Sequence, residues 1–393
     1  MRIRLFVIYV LIVLTSCSTS YADKAADMRL GTWVTVFSEQ KVLSSKNNAD
    51  RLLDIADKCG IKDIYVQVYR SDKAYYNSSI TDASPYKTFL SEANTDVFKY
   101  LTERSKERGI SIHAWINLLS LAKNKEANIL KTLGKSSLTI DQHGKDSLKD
   151  PSDPLDKYYI REDQLFLEPG SKEVRKYLSG IVQEITGLYP DMAGIHLDYI
   201  RYPSVVPFIP GSRFTSHGIG YGYGKDNLDA FKASSEIDML KDGYSRKKFL
   251  EWDAWLRGNV TSLVKEISET VHRKRPDLKI SCAVMPSIER TYLTTFQDWT
   301  SWLENGYLDY VVAMDYTDDP RLFGFYANSF IAQAEPSKVQ LGVGAYLLKD
   351  QSDILYSELN RALAAEVSGL VIFSYDDIAE DPALQAFLAE NFK

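Results

Sequence analysis

Hydrophobic and polar positions repeat along this chain as eight copies of one pattern. Short runs of β-favouring residues are separated by stretches whose apolar positions follow the helical period. Several of these runs are apolar throughout, as are parallel strands that are covered on both faces. The predicted strands are Leu30–Phe37, Asp63–Tyr69, Ser111–Asn117, Ala193–Asp198, Lys279–Met285, Tyr310–Met314, Gln340–Tyr346 and Leu370–Tyr375.

Start and stop signals support helices between the strands. Gly60, Gly109 and Gly306 each follow an amphipathic stretch, and glycine commonly ends a helix. Ser171 can cap the helix before the fourth strand, because a serine hydroxyl accepts a hydrogen bond from the first turn. The predicted helices include Ala49–Cys59, Asp96–Arg108, a long one across Phe249–Val271, and a last one near the C-terminus.

Eight strands, each followed by a helix or by room for one, predict an α/β fold, the (β/α)8 barrel. The alternative is an open doubly wound sheet, in which strands and helices also alternate. Such a sheet usually carries a glycine-rich phosphate loop after its first strand, and Val36–Glu39 contains no glycine. The pattern therefore favours one barrel domain over residues 29–393.

Two connections are much longer than the others. Leu118–Leu167 follows the third strand and is polar, and Pro203–Gly243 follows the fourth and is rich in glycine and aromatic residues. Both leave the carboxyl ends of strands, the face where barrel enzymes keep their active sites. Long loops in compact domains are commonly functional. We interpret them as walls of a substrate groove; the alternative is a pair of insertions without a ligand role.

The N-terminus has the organisation of a secretion signal. A basic start is followed by the apolar run Leu5–Leu14, which is too short to span a membrane. The run ends in Leu14–Cys17, which resembles the lipobox of bacterial lipoproteins. The alternative is an ordinary secretory signal with an incidental cysteine.

The lipobox resemblance implies a signal peptide over residues 1–16, a lipidated Cys17 as the new N-terminus, and a linker over residues 17–28. The expected location is the bacterial cell envelope, with the membrane as a partner through the lipid anchor. The residue after Cys17 is Ser18 and not aspartate. By resemblance to Gram-negative lipoproteins, this favours the outer membrane, with the protein facing the periplasm or the surface.

Composition and charge exclude several classes of protein. The 393 residues are 45% hydrophobic and 25% charged, which is typical of a folded globular protein. The formal net charge of −6 offers no basic surface for nucleic acid. Five scattered histidines and three cysteines lack metal-site spacing, so we expect no metal and no cofactor. Cys59 and Cys282 are predicted to be small buried hydrophobic residues.

Polar residues gather near the predicted strand ends, where barrels place functional side chains. The set is Gln67, Arg70, His113, Asn117, His196, Asp198, Arg201, Glu289, Asp315, Tyr316, Tyr375, Asp376 and Asp377.

Two carboxylates in this set, Asp198 and Asp315, end different strands. Glycoside hydrolysis needs such a pair, because one carboxylate attacks or stabilises the anomeric carbon while the other protonates the leaving oxygen. We therefore predict that Asp198 and Asp315 are catalytic. The alternatives are structural: Asp198 pairs with Arg201, and Asp315 caps the following helix.

The segment around Asp198 sharpens this hypothesis. Gly194–Pro203 reads GIHLDYIRYP and resembles the fourth-strand signature of the bacterial lipoproteins of glycosyl hydrolase-like family 10. Gly31–Val34, Tyr65–Arg70 and His113–Asn117 resemble the family's first three strands, in the same order. Leu167–Gly170 resembles its turn before strand four, although Glu168 stands where Asn or Asp is expected. We interpret that departure as affecting the cap of the turn more than the chemistry.

The resemblance implies a barrel that hydrolyses envelope or extracellular glycans, with peptidoglycan strands as the substrate class. It implies Asp198 as nucleophile or charge stabiliser and Asp315 as general acid/base. More distantly, this strand pairing is similar to retaining α-galactosidase-like barrels. The residues that would bind substrate or hold the carboxylates are Arg70, Asn117, His196, Arg201, Tyr316 and Asp376, with Tyr221 and Tyr223 of the second long connection stacking on sugar rings.

Two further hypotheses remain. The Ala313–Tyr316 stretch is similar to the sixth strand of family 18 chitinases, whose substrates supply the nucleophile, but the Asp-x-Asp-x-Glu run of that family is missing around Asp198. The other alternative is a non-catalytic glycan-binding lipoprotein that keeps the barrel as a scaffold.

The catalytic hypothesis makes geometric claims. Asp198 and Asp315 should face each other across the barrel mouth. His196 and Arg201 should lower the pKa of Asp198, whereas Asp315 should hold a proton more easily. Should Asp198 prove dispensable, the chemistry would move to Glu289 or Asp376.

Overall fold

A computed structural model describes residues 28–150, 152, 160–206, 219–243 and 245–393. Eight parallel strands form one closed sheet, in which each strand pairs with its neighbours in sequence and the first pairs with the last. The predicted (β/α)8 barrel is confirmed. Its strands are β1 (Arg29–Val34), β2 (Ile61–Arg70), β3 (Ser111–Asn117), β4 (Gly194–Asp198), β5 (Lys279–Val284), β6 (Tyr310–Met314), β7 (Val339–Gly344) and β8 (Gly369–Phe373).

Helices surround the sheet and occupy the connections. They are α1 (Lys46–Cys59), α2 (Ser84–Ala93), α3 (Val97–Lys106), α4 (Asn128–Leu133), α5 (Lys172–Leu188), α6 (Lys225–Ser235), α7 (Arg246–His272), α8 (Ile288–Arg290), α9 (Trp299–Glu304), α10 (Pro320–Gln333), α11 (Ser352–Ala364), α12 (Tyr375–Glu380) and α13 (Pro382–Phe392).

The predicted start and stop residues act as expected. The Ser171 hydroxyl accepts from the Val174 N–H at the first turn of α5. Gly60, Gly109 and Gly306 adopt positive φ angles of 76°, 64° and 70°, which glycine adopts without the steric penalty of a side chain.

For four strands, the predicted carboxyl end lies beyond the observed one. β1, β5, β7 and β8 stop one to three residues before the predicted ends. Their β-favouring residues continue, but the chain has already left the ladder; after β7, for example, it enters the short 3-10 helix Ala345–Leu347. The overrun segments therefore belong to the mouth of the barrel.

The barrel has two hydrophobic cores. The larger fills the space between the sheet and the helices. The smaller lies inside the barrel and is mostly aromatic, consisting of Trp33, Tyr65, Trp115, Val312 and Val371. Because successive side chains of a strand point to opposite faces, membership of one core or the other tells which residues face inward.

The inner space becomes polar at the amino ends of the strands. Arg29 binds Asp63 at 2.6 Å, and the His113 Nε2 atom lies 3.0 Å from the same carboxylate. His113 therefore lies at the end of the barrel away from the mouth, which corrects its inclusion among the strand-end functional residues.

The described parts of the two long connections are joined to each other. Ile160–Arg161 pairs with Val205–Val206 as an antiparallel ribbon, and Asp141 forms a bridge with Tyr221. Ser120–Ala122 pairs with Leu165–Phe166 inside the first connection. Together these segments form a second layer of structure at the carboxyl ends of β3 and β4.

The predicted signal peptide, Cys17 and nearly all of the linker lie outside the described residues. Among the helices that the structure describes, none combines the length and the apolar character needed to cross a membrane. Cys59 and Cys282 are both free and buried, as predicted.

Candidate active site

Asp198 is the last residue of β4, and its side chain points into the barrel. The Trp115 indole donates to its Oδ2 at 3.0 Å, and the Tyr199 backbone N–H donates to its Oδ1 at 2.7 Å. Each carboxylate oxygen therefore has one fixed donor. The side chain is held in a single orientation with only 6% of the residue exposed.

The charge state of Asp198 differs from the sequence-based expectation. Burial raises the pKa of Asp198 above its ordinary value and outweighs the Tyr199 N–H, the Trp115 indole, and the Arg201 and Arg70 charges, which act to lower it. The prediction of a lowered pKa is wrong, because sequence neighbours do not reveal how completely the group is removed from water.

His196 does not contribute a charge to Asp198. It lies two residues deeper on the same face of β4 and is fully buried. The Trp33 indole can only donate, so the His196 Nε2 atom at 3.1 Å must accept, and the ring proton lies on Nδ1 toward the Ser281 hydroxyl at 2.8 Å. Burial holds the pKa of His196 well below its ordinary value. With both nitrogens engaged, His196 is not placed to bind substrate.

Arg201 pairs with Glu162, and not with Asp198. Two guanidinium nitrogens bind the two Glu162 oxygens at 2.7 and 3.1 Å. The guanidinium also lies over the rings of Tyr199 at 5.0 Å and Phe166 at 5.6 Å. The structural alternative for Asp198, an ion pair with Arg201, is therefore wrong. Arg201 is only 6% exposed and its charge is paired with Glu162, so it is not open to a substrate as predicted.

Asp315 lies on the other side of the sheet from Asp198. Along β6, Val312 belongs to the inner core and Ala313 to the outer core. Asp315 continues the outer series, and the charge near it is that of Glu358 on α11. Burial and this charge raise the pKa of Asp315 to about 8. The tendency to hold a proton agrees with the prediction, but its cause lies outside the barrel.

The prediction that the Asp198 and Asp315 side chains face each other across the barrel mouth is therefore wrong. The side chain of β6 that does reach the site is Tyr316, one residue further along. Burial and, next, the charge of Asp198 raise the pKa of Tyr316 well above its ordinary value. The alternative in which Asp315 caps the following helix is also wrong, since Asp319 caps α10 by accepting from the Arg321 N–H.

Aromatic rings line the side of the mouth that β6, β7 and β8 form. The Tyr316 ring packs edge-on against Trp33 at 6.3 Å and Tyr346 at 6.0 Å, and lies 5.7 Å from Phe373. Tyr346 is 45% exposed. Sequence reasoning included Tyr316 and missed Tyr346, although the end of the predicted seventh strand would have pointed to it.

On the opposite side, Arg70 ends β2 and remains half-buried. Its guanidinium lies 4.9 Å from the centre of the Phe37 ring, and its charge acts to lower the pKa of Asp198. Asn117 ends β3 in register with Asp198 and accepts from the Gln67 amide at 3.1 Å. Arg70, Asn117 and Tyr316 are thus brought to the same mouth as Asp198.

The aromatic residues of the second long connection are placed differently from the prediction. Tyr221 is only 2% exposed, and Tyr223 is half-buried with its ring 5.3 Å from Trp252. Gly222 has φ 95°, and a Cβ there would lie 2.5 Å from a Leu256 methyl group. The prediction that these tyrosines stack on sugars is wrong for Tyr221, and Gly222 allows the chain to pack closely against Leu256.

Asp376 and Glu168 have structural partners. Asp376 accepts from the Ser38 hydroxyl and from the Glu39 N–H at 3.1 Å, so it joins the loops after β1 and β8. Glu168 accepts from the Gly170 N–H at 2.9 Å and from the Tyr202 hydroxyl at 2.6 Å. The first of these bonds is the turn cap that the sequence suggested.

A (β/α)8 barrel with an oriented carboxylate at the end of β4 and an aromatic mouth is an architecture of sugar-hydrolysing barrels. The profile of the family described as glycosyl hydrolase-like 10 matches residues 27–344, and the chain belongs to this family.

Two relatives carry the name glycosyl hydrolase. The chain is 24% identical over 376 residues to glycosyl hydrolase YngK of Bacillus subtilis (strain 168), with 87% of this chain and 65% of that protein covered. It is 24% identical to glycosyl hydrolase DigH of Escherichia coli (strain K12), with 85% of this chain and 76% of that protein covered. The chain thus spans less than two thirds of the length of the first relative.

Solved structures share the fold. The catalytic domain of β-amylase from Paenibacillus polymyxa superposes with a TM-score of 0.58 at 13% identity, covering 92% of this chain and 97% of that one. A β-galactosidase from Bacillus circulans gives a TM-score of 0.57 at 13% identity, covering 93% of this chain and 55% of that one.

Proposed function

We propose that this protein is a glycoside hydrolase that cleaves an amino-sugar polysaccharide, with peptidoglycan glycan strands as the substrate class. The observation that carries the proposal is Asp198, which ends β4 at the mouth with one N–H donor fixed on each oxygen. The two donors fix the direction of the lone pairs and act to lower the pKa of Asp198, against the larger effect of burial, which raises it. Asp198 is assigned as nucleophile or charge stabiliser.

We do not assign Asp315 as the proton donor, because its side chain lies on the helix side of β6. An acid that protonates a leaving oxygen must reach the substrate. Glu289 lies on α8, just beyond the carboxyl end of β5, and is exposed. Among the described residues its carboxylate has no ion-pair partner. We therefore assign Glu289 as the candidate general acid.

The competing function is glycan binding without cleavage. It is favoured by one observation: Asp315, the predicted partner of Asp198, lies on the helix side of β6 and does not reach the mouth. This function is compatible with membership of the family, because a barrel can retain its fold after losing an activity.

The test is digestion of purified peptidoglycan, with and without its stem peptides, followed by mass analysis of the products. We expect Asp198→Asn to reduce cleavage by roughly 10³-fold or more while leaving folding and glycan binding largely intact. Glu289→Gln should also reduce cleavage, whereas Asp315→Asn should not. Binding without cleavage by the wild-type protein would establish the competing function, and substantial activity in Asp198→Asn would overturn the assignment of Asp198.

The proposed location is the outer membrane of the cell envelope, with the chain anchored by a lipid on Cys17. The support is the Leu14–Cys17 lipobox resemblance and the preceding apolar run. Two or three acyl chains suffice for stable anchoring, whereas a single chain gives only marginal binding.

A further inference from the structure

Two buried tryptophans direct their indole N–H groups at the inner face of β4. The Trp33 indole, from β1, donates to the His196 Nε2 atom at 3.1 Å, and the Trp115 indole, from β3, donates to the Asp198 Oδ2 atom at 3.0 Å. Both rings belong to the small aromatic core inside the barrel, where they are 2% and 5% exposed. The two tryptophans are thus alike in chemistry and burial, but only Trp115 reaches the candidate catalytic carboxylate.

Strand register shows how Trp115 meets Asp198. Trp115 pairs with His196 across β3 and β4, whereas the partner of Asp198 in the register is Asn117. Trp115 and Asp198 therefore meet diagonally, a contact that a long aromatic side chain can make and a short one cannot. On its other side, the Trp115 ring packs edge-to-face with Phe373 of β8, with 6.3 Å between the ring centres. This packing fixes the ring, and the fixed ring sets the direction of its N–H.

The Trp115 N–H is the only side-chain donor to Asp198 within the described residues. The other donor is the Tyr199 backbone N–H, 2.7 Å from Oδ1, which follows Asp198 in the chain. Asp198 is only 6% exposed, so little water is available to replace a lost donor. A hydrogen bond to a carboxylate favours its charged form, and burial favours the neutral form. The Trp115 indole therefore opposes the effect of burial on this carboxyl group.

We propose that Trp115 is the positioning residue for Asp198, because its indole N–H holds the carboxylate in one orientation and keeps it ionised inside an aromatic barrel. The proposal rests on the proposed function and adds a residue that acts on the reaction through Asp198. Trp33 lacks this role, since it donates to a histidine that lies deeper in the barrel and stays neutral.

The other titratable neighbours of Asp198 keep their charge in the acid range. Its carboxylate interacts electrostatically with side chains of β2 and β5 and of the segments after β4 and β6, namely Arg70, Tyr199, Arg201, Cys282 and Tyr316. Burial raises the pKa of both tyrosines and of the cysteine, so these three stay neutral. Both arginines stay protonated. Burial also holds the pKa of His196 well below its ordinary value. Ionisation of Asp198 therefore dominates a titration of the site in acid.

The test is the pH dependence of kcat/KM on peptide-free glycan strands prepared from peptidoglycan. The acid limb of this profile reports the pKa of the essential base in the free enzyme. Trp115→Phe keeps an aromatic ring and removes the N–H. Its acid limb should move to higher pH by about one unit, the shift expected when a charged group loses one hydrogen bond. At a pH below the limb, kcat/KM should therefore be about tenfold lower than in the wild-type protein.

The matched control is Trp33→Phe, which makes the same change at a similarly buried ring of the same core. Its acid limb should stay at the wild-type pH, even if altered packing lowers the rate. An unmoved acid limb in Trp115→Phe would overturn the proposal. Equal shifts in the two variants would also overturn it, because they would trace the effect to packing of the barrel interior and not to the donor on Asp198.

Indole N–H signals in the NMR spectrum of the intact protein give a second measurement, which needs neither cleavage nor a folded Trp115 variant. The chain has six tryptophans. One indole signal should shift as Asp198 ionises, and this shift should be absent in Asp198→Asn. If the wild-type protein cleaves no glycan, the proposed function fails, and this titration still shows whether an indole holds Asp198. The absence of any indole signal that titrates in the wild-type protein but not in Asp198→Asn would overturn the proposal.

Discussion

Asp315 and Glu358 form a buried acidic pair whose ionisation should oppose folding. Both residues are fully buried, and within the described residues none of their four carboxylate oxygens has a hydrogen-bond partner. Burial, followed by the charge of the neighbouring Glu358, raises the pKa of Asp315 from 3.8 to about 8. Burial, followed by the charges of Asp318 and Asp319, raises the pKa of Glu358 to about 8 as well.

The sign of the pH dependence follows from the raised pKa. The folded chain favours the protonated acid, so the stabilising contribution is complete below about pH 4 and is lost as the pH rises toward 8. A difference of about 4 pH units, at about 1.4 kcal/mol per unit, gives roughly 6 kcal/mol as an upper bound for one group. Between pH 5 and pH 9 the protein should therefore lose several kcal/mol of unfolding free energy.

The perturbation is Asp315→Asn, which keeps the shape of the side chain and cannot ionise. Because it removes one of the two buried charges, the variant should gain about 2–3 kcal/mol over the wild-type protein at pH 9, and much less at pH 5. The assay is urea unfolding followed by tryptophan fluorescence at both pH values. Asp277→Asn is the control, since Asp277 is exposed, binds Arg275 and has a pKa already lowered from its ordinary value.

Two results would refute this reasoning. Wild-type stability that is equal at pH 5 and pH 9, with no relative gain in Asp315→Asn, would show that folding does not raise the pKa of either carboxyl group, as would be the case if a partner neutralised the pair. Loss of glycan cleavage in a stable Asp315→Asn protein would return Asp315 to the chemistry and contradict its outward position.

Two further predictions concern the anchor and the second long connection. Cys17→Ala should block lipidation and release the protein from the membrane fraction, as checked by fractionation and the mass of the N-terminal peptide; unchanged processing and membrane association would contradict the lipoprotein assignment. Tyr221→Ala should lower the unfolding free energy by about 3–5 kcal/mol, the cost of removing a buried aromatic side chain, as measured by urea unfolding. Full stability with lost glycan binding would instead restore Tyr221 as a sugar platform.

The barrel could be predicted without the structure, because the signals for it are local. Period-two and apolar runs mark strands, the Ser171 hydroxyl begins a helix, and glycines such as Gly60 end them, and each of these acts over a few residues. The same locality identified Asp198, since it ends a strand within a specific motif, and the carboxyl ends of all barrel strands meet at one face.

The neighbours of these residues, in contrast, depend on how distant parts of the chain pack together. β6 is apolar on both faces from Val311 to Ala313, so no alternation in the sequence indicated which side Asp315 would take. Glu162 lies 39 residues before Arg201 and joins it only because the two long connections pair with each other. The pKa of Asp198 is set by burial, which depends on packing from the whole mouth and not on the charges next to it in the chain.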